Sequence, residues 1–175
     1  MTKHIDSYID LCKALGPSTF ATEHGVAVLL GLGVVGSLAE NGERGGAQTF
    51  LASLDMNAQE TKAIYRRVWR IEKAPFGPES KNVRVGRSSD NDIIIPEYSI
   101  SQRHCEFQRT SENAHLVMDL GAHNPTIVQG TQLKPFVPHP IESEDEIVLG
   151  RYLFEFLTAR TFCQRVAVMA GFQPM

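Results

Sequence analysis

Cysteine is scarce in this chain, long apolar runs are missing, and positive charge is not in excess. Cys12, Cys105 and Cys163 are an odd set with no CxxC pair. That spacing excludes a disulfide framework and a structural zinc site, and it predicts a reduced, cytoplasmic setting. The longest apolar stretch, Val26 to Val35, contains glycines and is too short to cross a bilayer as a helix. Met1-Thr2-Lys3-His4-Ile5-Asp6 lacks the apolar segment of a signal peptide. A soluble protein without membrane insertion is expected. The formal net charge of -3 argues against a nucleic-acid binder, which normally carries a basic face.

What is present is an ordinary globular composition over 175 residues, 42% hydrophobic and 21% charged. A chain of that size can bury roughly 70% of its unfolded surface. Residues 3–15 predict an amphipathic helix, with Ile5, Tyr8, Ile9, Cys12 and Leu15 on one stripe and Gly16-Pro17 as its stop. Val26 to Leu30 reads as a buried strand. Ser37 to Ala47 reads as a loop, Gln48 to Leu54 as a second strand or a helical turn, the strand pair being preferred, and Asp55 to Lys62 as a linker. From residue 63 short alternating segments recur between turn residues, at Tyr65–Ile71, Val83–Val85, Cys105–Phe107, His115–Leu120, Ile147–Leu149 and Phe154–Phe156. That pattern predicts an antiparallel β-sandwich or barrel. A last helix is expected over 159–170, with Phe162, Val166 and Met169 on its inner face.

The chemistry-bearing residues form one ordered series. Val85-Gly86-Arg87 is followed by the polar loop Ser88-Ser89-Asp90-Asn91-Asp92, then by Ser101-Gln102-Arg103-His104, then by Asp119-Leu120-Gly121-Ala122-His123-Asn124. An arginine at a strand end, a loop serine and an asparagine in a later turn suit a phosphate. With the closing Asp145-Glu146-Ile147-Val148-Leu149-Gly150, the series resembles the forkhead-associated (FHA) domain over residues 63–158.

The resemblance implies an FHA-type β-sandwich, mainly β, that binds phosphothreonine peptides and is not an enzyme. Residues 1–62 would form an α+β N-terminal extension, and residues 159–175 a C-terminal helix and tail. Arg87 and Ser101 would grip the phosphate, and Asn124 would hold the peptide backbone, with Gln102 and His123 assisting. Gly86 would permit a tight exit from its strand, and His104 would bracket the loops. The partner would be a phosphothreonine-containing protein made by a Ser/Thr kinase. No cofactor and no metal is implied, and the size suggests a bacterial signalling adaptor. Three positions depart from the family pattern. Pro125 follows Asn124 where glycine is usual, His123 replaces a small hydroxylated residue, and Gln102 replaces a basic residue or asparagine. They keep a second reading open: an FHA-fold assembly module with a drifted phosphate site, making phosphate-independent contacts or self-associating.

Other motifs point elsewhere and are set aside. Gly31-Leu32-Gly33-Val34-Val35-Gly36 matches GxGxxG, but the broken sequence after it cannot supply the helix of a dinucleotide site. Close strand packing is the expected role of those glycines. Glu142 to Glu146 reads as a solvated turn rather than a calcium loop. Ser101 and His104 have no acid orienter or oxyanion site to make them catalytic. Cys105 is expected as a small core residue.

Overall fold

A computed structural model describes residues 2–35, 62–111 and 114–173. The loop, second strand and linker expected between residues 37 and 61 lie outside the described residues. The elements run β1 (Lys3–His4), α1 (Ile5–Leu15), α2 (Pro17–His24), β2 (Val28–Val34), β3 (Arg67–Arg70), β4 (Val83–Gly86), β5 (Ile93–Ile94), β6 (Cys105–Arg109) and β7 (His115–Asp119). They continue as β8 (Ile127–Val128), β9 (Thr131–Gln132), β10 (His139–Ile141), β11 (Glu146–Leu149), β12 (Tyr152–Leu157) and α3 (Ala159–Met169).

The strands make a sandwich of two sheets. One has the order β1-β3-β2-β12-β11-β8-β9 and the other β10-β7-β6-β4-β5. Neighbours are antiparallel except β4 and β5, which pair in parallel. Alternation decides which side chains enter. In β6, Cys105 and Phe107 point in, and in β11, Ile147 and Leu149 do so, against Trp69, Phe154 and Phe156.

The first sheet is buried on both faces. Leu29 and Trp69 face the sandwich core, while Val28, Leu30 and Val68 face a second core beneath the helices. The molecule therefore has three layers: helices, seven-stranded sheet, five-stranded sheet. Residues 1–62 do more than extend the sandwich, because β2 lies between β3 and β12 and pairs with β12 from Val28 to Val34.

The helices follow from their stripes and caps. Ile5, Tyr8, Ile9 and Cys12 recur at helical spacing and are buried. Gly16, at φ 79, ends α1 and donates its N–H to the Cys12 carbonyl at 2.9 Å. The expected stop at Gly16-Pro17 is also a start. Pro17 occupies the first turn of α2, where its missing N–H costs nothing, and Phe20 drops fully buried into the second core. Thr158 caps α3, accepting from the Thr161 N–H at 3.4 Å. Tyr8 meets the buried Phe162 edge-on at 5.3 Å. The inner face of α3 is Phe162, Val166 and Ala167; Met169, expected inside, is 42% exposed because the contact face turns toward Ala167. Leu15, the last residue of the α1 stripe, is likewise exposed.

Candidate functional site

The site is built from three loops: β4–β5 (residues 87–92), β5–β6 (95–104) and β7–β8 (120–126). Buried polar residues fix each one. Asn91 donates through Nδ2 to the carbonyls of Ser88 and Gln102, both at 2.7 Å, and its Oδ1 accepts from Arg84 Nε at 2.8 Å. Asp119 accepts four hydrogen bonds, from the N–H groups of Gly121, Ala122 and Thr126 and from the Thr126 hydroxyl, at 2.7–3.0 Å. Glu97 accepts from the Ser99 N–H and hydroxyl and from Arg151 Nε, anchoring the second loop to the start of β12. Such fully paired groups hold a loop rigid, because breaking one strands a desolvated donor or acceptor.

Gly86 has a steric reason to be glycine. A Cβ there would lie 2.2 Å from the Gln102 carbonyl oxygen and 2.8 Å from Asn91 Nδ2. The β5–β6 loop crosses directly over it. What Gly86 permits is this close approach, rather than an unusual backbone turn.

His104 is fully buried. Its N–H donates to the Val85 carbonyl, its carbonyl accepts from the Leu120 N–H, and its Nδ1 accepts from the Ser101 N–H at 3.1 Å. The residue thus ties two of the three loops, its ring to Ser101 and its backbone carbonyl to Leu120. Burial pushes its pKa down to about 4, against an opposing pull from the Asp119 carboxylate. At neutral pH the ring is uncharged, and Nδ1 is available as an acceptor.

Arg87 and Ser101 meet across an open groove of about 440 Å³ lined by Arg87, Ser88, Asp90, Ser101, Gln102 and Arg103. The Arg87 N–H donates to the Ser101 carbonyl, and its Nε to the Ile100 carbonyl at 3.1 Å. These two bonds aim the guanidinium, whose terminal nitrogens have no partner among the described residues. The Ser101 hydroxyl oxygen accepts from the His123 N–H at 2.9 Å, which leaves its proton to donate elsewhere. A guanidinium and a hydroxyl so placed match a phosphate group.

Of the residues expected from sequence, Arg87, Ser101 and Gln102 line the groove together. His123 joins them only through its backbone, and its side chain is exposed. Asn124 turns aside: its Nδ2 donates to the Ser99 carbonyl at 2.9 Å and braces the neighbouring loop. Ser88, Asp90 and Arg103 also line the groove; they stand in the ordered series of the sequence but were given no role there. The only signal for Arg103 was its place inside Ser101-x-x-His104. The Ser88 hydroxyl and the Arg103 guanidinium hold the Asp90 carboxyl below its usual range.

The set-aside motifs have structural places. Gly31 and Gly33 lie in β2, and a Cβ on Gly31 would sit 2.1 Å from the Ile64 carbonyl oxygen, so close packing explains that glycine. Gly36 lies outside the described residues. The acidic run turns from β10 to β11, with Asp145 accepting from the Glu142 N–H. Among the described residues no three His, Cys, Asp or Glu side chains cluster to hold a metal, and no helix is long and apolar enough to cross a membrane.

Part of the chain is similar to known proteins. The model of the FHA domain matches residues 83–150, which hold every groove residue. The chain is 34% identical over 74 residues to the glycogen accumulation regulator GarA of Mycobacterium tuberculosis, covering 42% of this chain and 43% of the relative. It is 30% identical over 79 residues to the oxoglutarate dehydrogenase inhibitor of Corynebacterium jeikeium, covering 45% and 52%. The chain thus spans about half the length of the curated relatives it matches. The FHA domain of the CT664 protein from Chlamydia trachomatis superposes with a TM-score of 0.44 at 24% identity, over 51% of this chain and 82% of that one. The sandwich is of the FHA type, and residues 83–150 carry an FHA domain, a phosphothreonine-binding module.

Proposed function

We infer that this chain is a signalling adaptor whose groove takes the phosphate of a phosphothreonine on a partner protein. Arg87 supplies paired donors to the phosphate, and Ser101 adds a hydroxyl donor. Gln102 contributes its side-chain amide at the groove wall. Asn124 and His123 stand beside the entry, where the Asn124 Oδ1 can accept from the peptide backbone and the His123 ring can meet the residue next to phosphothreonine. Gly86 and His104 frame the site. The partner is the product of a Ser/Thr kinase, and the setting is cytoplasmic.

The observation that carries this reading is the Arg87 guanidinium, fixed through Nε and unspent at its terminal nitrogens, facing the groove opposite Ser101. A phosphothreonine brings about -1.5 to -2 charges and three acceptor oxygens. The test is selection from a peptide library with randomised flanks around threonine or phosphothreonine. Phosphorylated peptides should be enriched, and Arg87→Ala should abolish the enrichment. Equal retention of both libraries would favour the second reading, an assembly module with a drifted phosphate site. The observation on that side is Asn124, whose amide is engaged by Ser99 and followed by Pro125.

A further inference from the structure

We propose that Arg103 is the second cation for the bound phosphate in this groove, and that Asp90 is the residue that positions it. The proposal rests on the phosphothreonine reading above and deepens it.

The β5–β6 turn is clamped at both ends. The Ser101 N–H donates to His104 Nδ1, the Gln102 carbonyl accepts from Asn91 Nδ2, and the His104 N–H donates to Val85. Held this way, the turn projects Arg103 outward onto the groove rim, where its side chain is 63% exposed. A lone arginine so exposed would sweep many rotamers, and ordering it on a ligand costs affinity.

Asp90 removes much of that freedom. Its Oδ2 takes Arg103 Nη2 at 3.0 Å, and the same oxygen takes Arg84 Nη2 at 2.8 Å. Arg84 is only 12% exposed and is pinned in turn, through Nε on Asn91 and through Nη2 on the Asp90 carbonyl. Ser88 donates its hydroxyl to Asp90 Oδ1 at 2.8 Å. A half-buried arginine therefore anchors a carboxylate, and the carboxylate anchors an exposed arginine. The grip on Arg103 uses Nη2 alone. Its Nε and Nη1 have no partner among the described residues and remain for a ligand oxygen.

The charges agree with this assignment. Asp90 standing alone on the rim would repel a phosphate. Paired with Arg84, its charge is matched close by. One Asp90 carboxylate set against Arg84, Arg87 and Arg103 leaves a net of two positive charges facing a phosphate dianion. Gln102, uncharged between Ser101 and Arg103, cannot supply the second charge.

The experiment uses the full chain and one phosphothreonine peptide selected on it from the randomised library. Titrations at several salt concentrations compare Arg87→Ala, Arg103→Ala, Arg103→Lys, Asp90→Ala and the Asp90→Ala/Arg103→Ala pair. Arg103→Ala should weaken binding about tenfold with an unchanged melting temperature, as for loss of a partly exposed charge-assisted contact. It should also flatten the salt dependence, since one ligand-facing charge is gone. Arg103→Lys should restore the salt dependence but only part of the affinity. Asp90→Ala should weaken binding about threefold with Arg103 present and leave it unchanged without Arg103, the signature of a residue acting through another. If Arg87→Ala loses binding but Arg103→Ala stays within twofold of wild type, the inference fails while the phosphothreonine reading stands. If Asp90→Ala tightens binding, Asp90 is a competitor for Arg103 and the positioning role is overturned. If Arg87→Ala leaves the affinity unchanged, both readings fall.

Discussion

Acid should weaken this fold through its buried histidines, His104 and His115, and the size of the His104 part follows from its burial. The His104 pKa falls from an ordinary 6.5 to about 4 in the folded chain. Between those values the unfolded chain binds a proton that the folded chain refuses, so stability falls as pH falls through that window. The contribution is nearly complete at pH 7, about 2 kcal/mol smaller by pH 5, and about 3 kcal/mol smaller once pH drops below 4. The local consequence is specific. A proton on Nδ1 turns an acceptor into a donor that faces the Ser101 N–H, so the loop bearing Ser101 loses its tie. Urea unfolding at pH 7 and pH 5 measures the loss, and a His104→Asn variant supplies the comparison. The variant should be less stable at pH 7, yet its stability should change less between the two pH values, by about 2 kcal/mol. If wild type and variant lose the same stability on acidification, His104 is not the group responsible and the burial argument is wrong.

Three further outcomes test the frame around the groove. Gly86→Ala should cost about 1–3 kcal/mol and lower phosphopeptide affinity, because the β5–β6 loop must move off the new methyl group; thermal melting and titration read both. Asp119→Asn leaves a donor amide among N–H groups that need an acceptor and should cost about 2 kcal/mol, with hydrogen exchange accelerated first at Gly121, Ala122 and Thr126. Phe162→Ala should cost about 3–5 kcal/mol and loosen α1, seen as faster exchange at Ile9 and Cys12. The folded fraction of that last variant should bind phosphopeptide as wild type does, since α3 packs on the layer opposite the five-stranded sheet.

Much of the sandwich was legible because alternation is a local property. Cys105 and Phe107, or Ile147 and Leu149, declare an inward face without reference to anything distant. Strand β2 was legible as a buried strand but not as the centre of a sheet. Val28, Leu29 and Leu30 are buried on both sides, and the second side exists only because the helices cover it. Helix α2 was hidden because Gly16-Pro17 ends one helix and starts the next with no loop between. At the groove, Arg87, Ser101 and Gln102 were found because their order and spacing carry the signal. Arg103 and Asp90 come together only when two loops cross, and no single stretch of sequence records that crossing. Asn124 shows the reverse, a residue whose type fits the chemistry while its amide is engaged by Ser99.

The place of β2 bears on how this protein can be cut. A fragment trimmed to residues 63–158 would remove the strand that pairs with β12 from Tyr152 to Leu157, and one trimmed to the matched 83–150 would lose β12 as well. The longer fragment would expose a six-residue row of unpaired backbone donors and acceptors along β12, and the apolar side chains of Leu157 and Val68 would lose their cover. Such an edge is a template for strand addition by another copy. Aggregation of the trimmed fragment would report a missing strand rather than a poor phosphate site, and tests of binding belong on the chain that keeps residues 2–35.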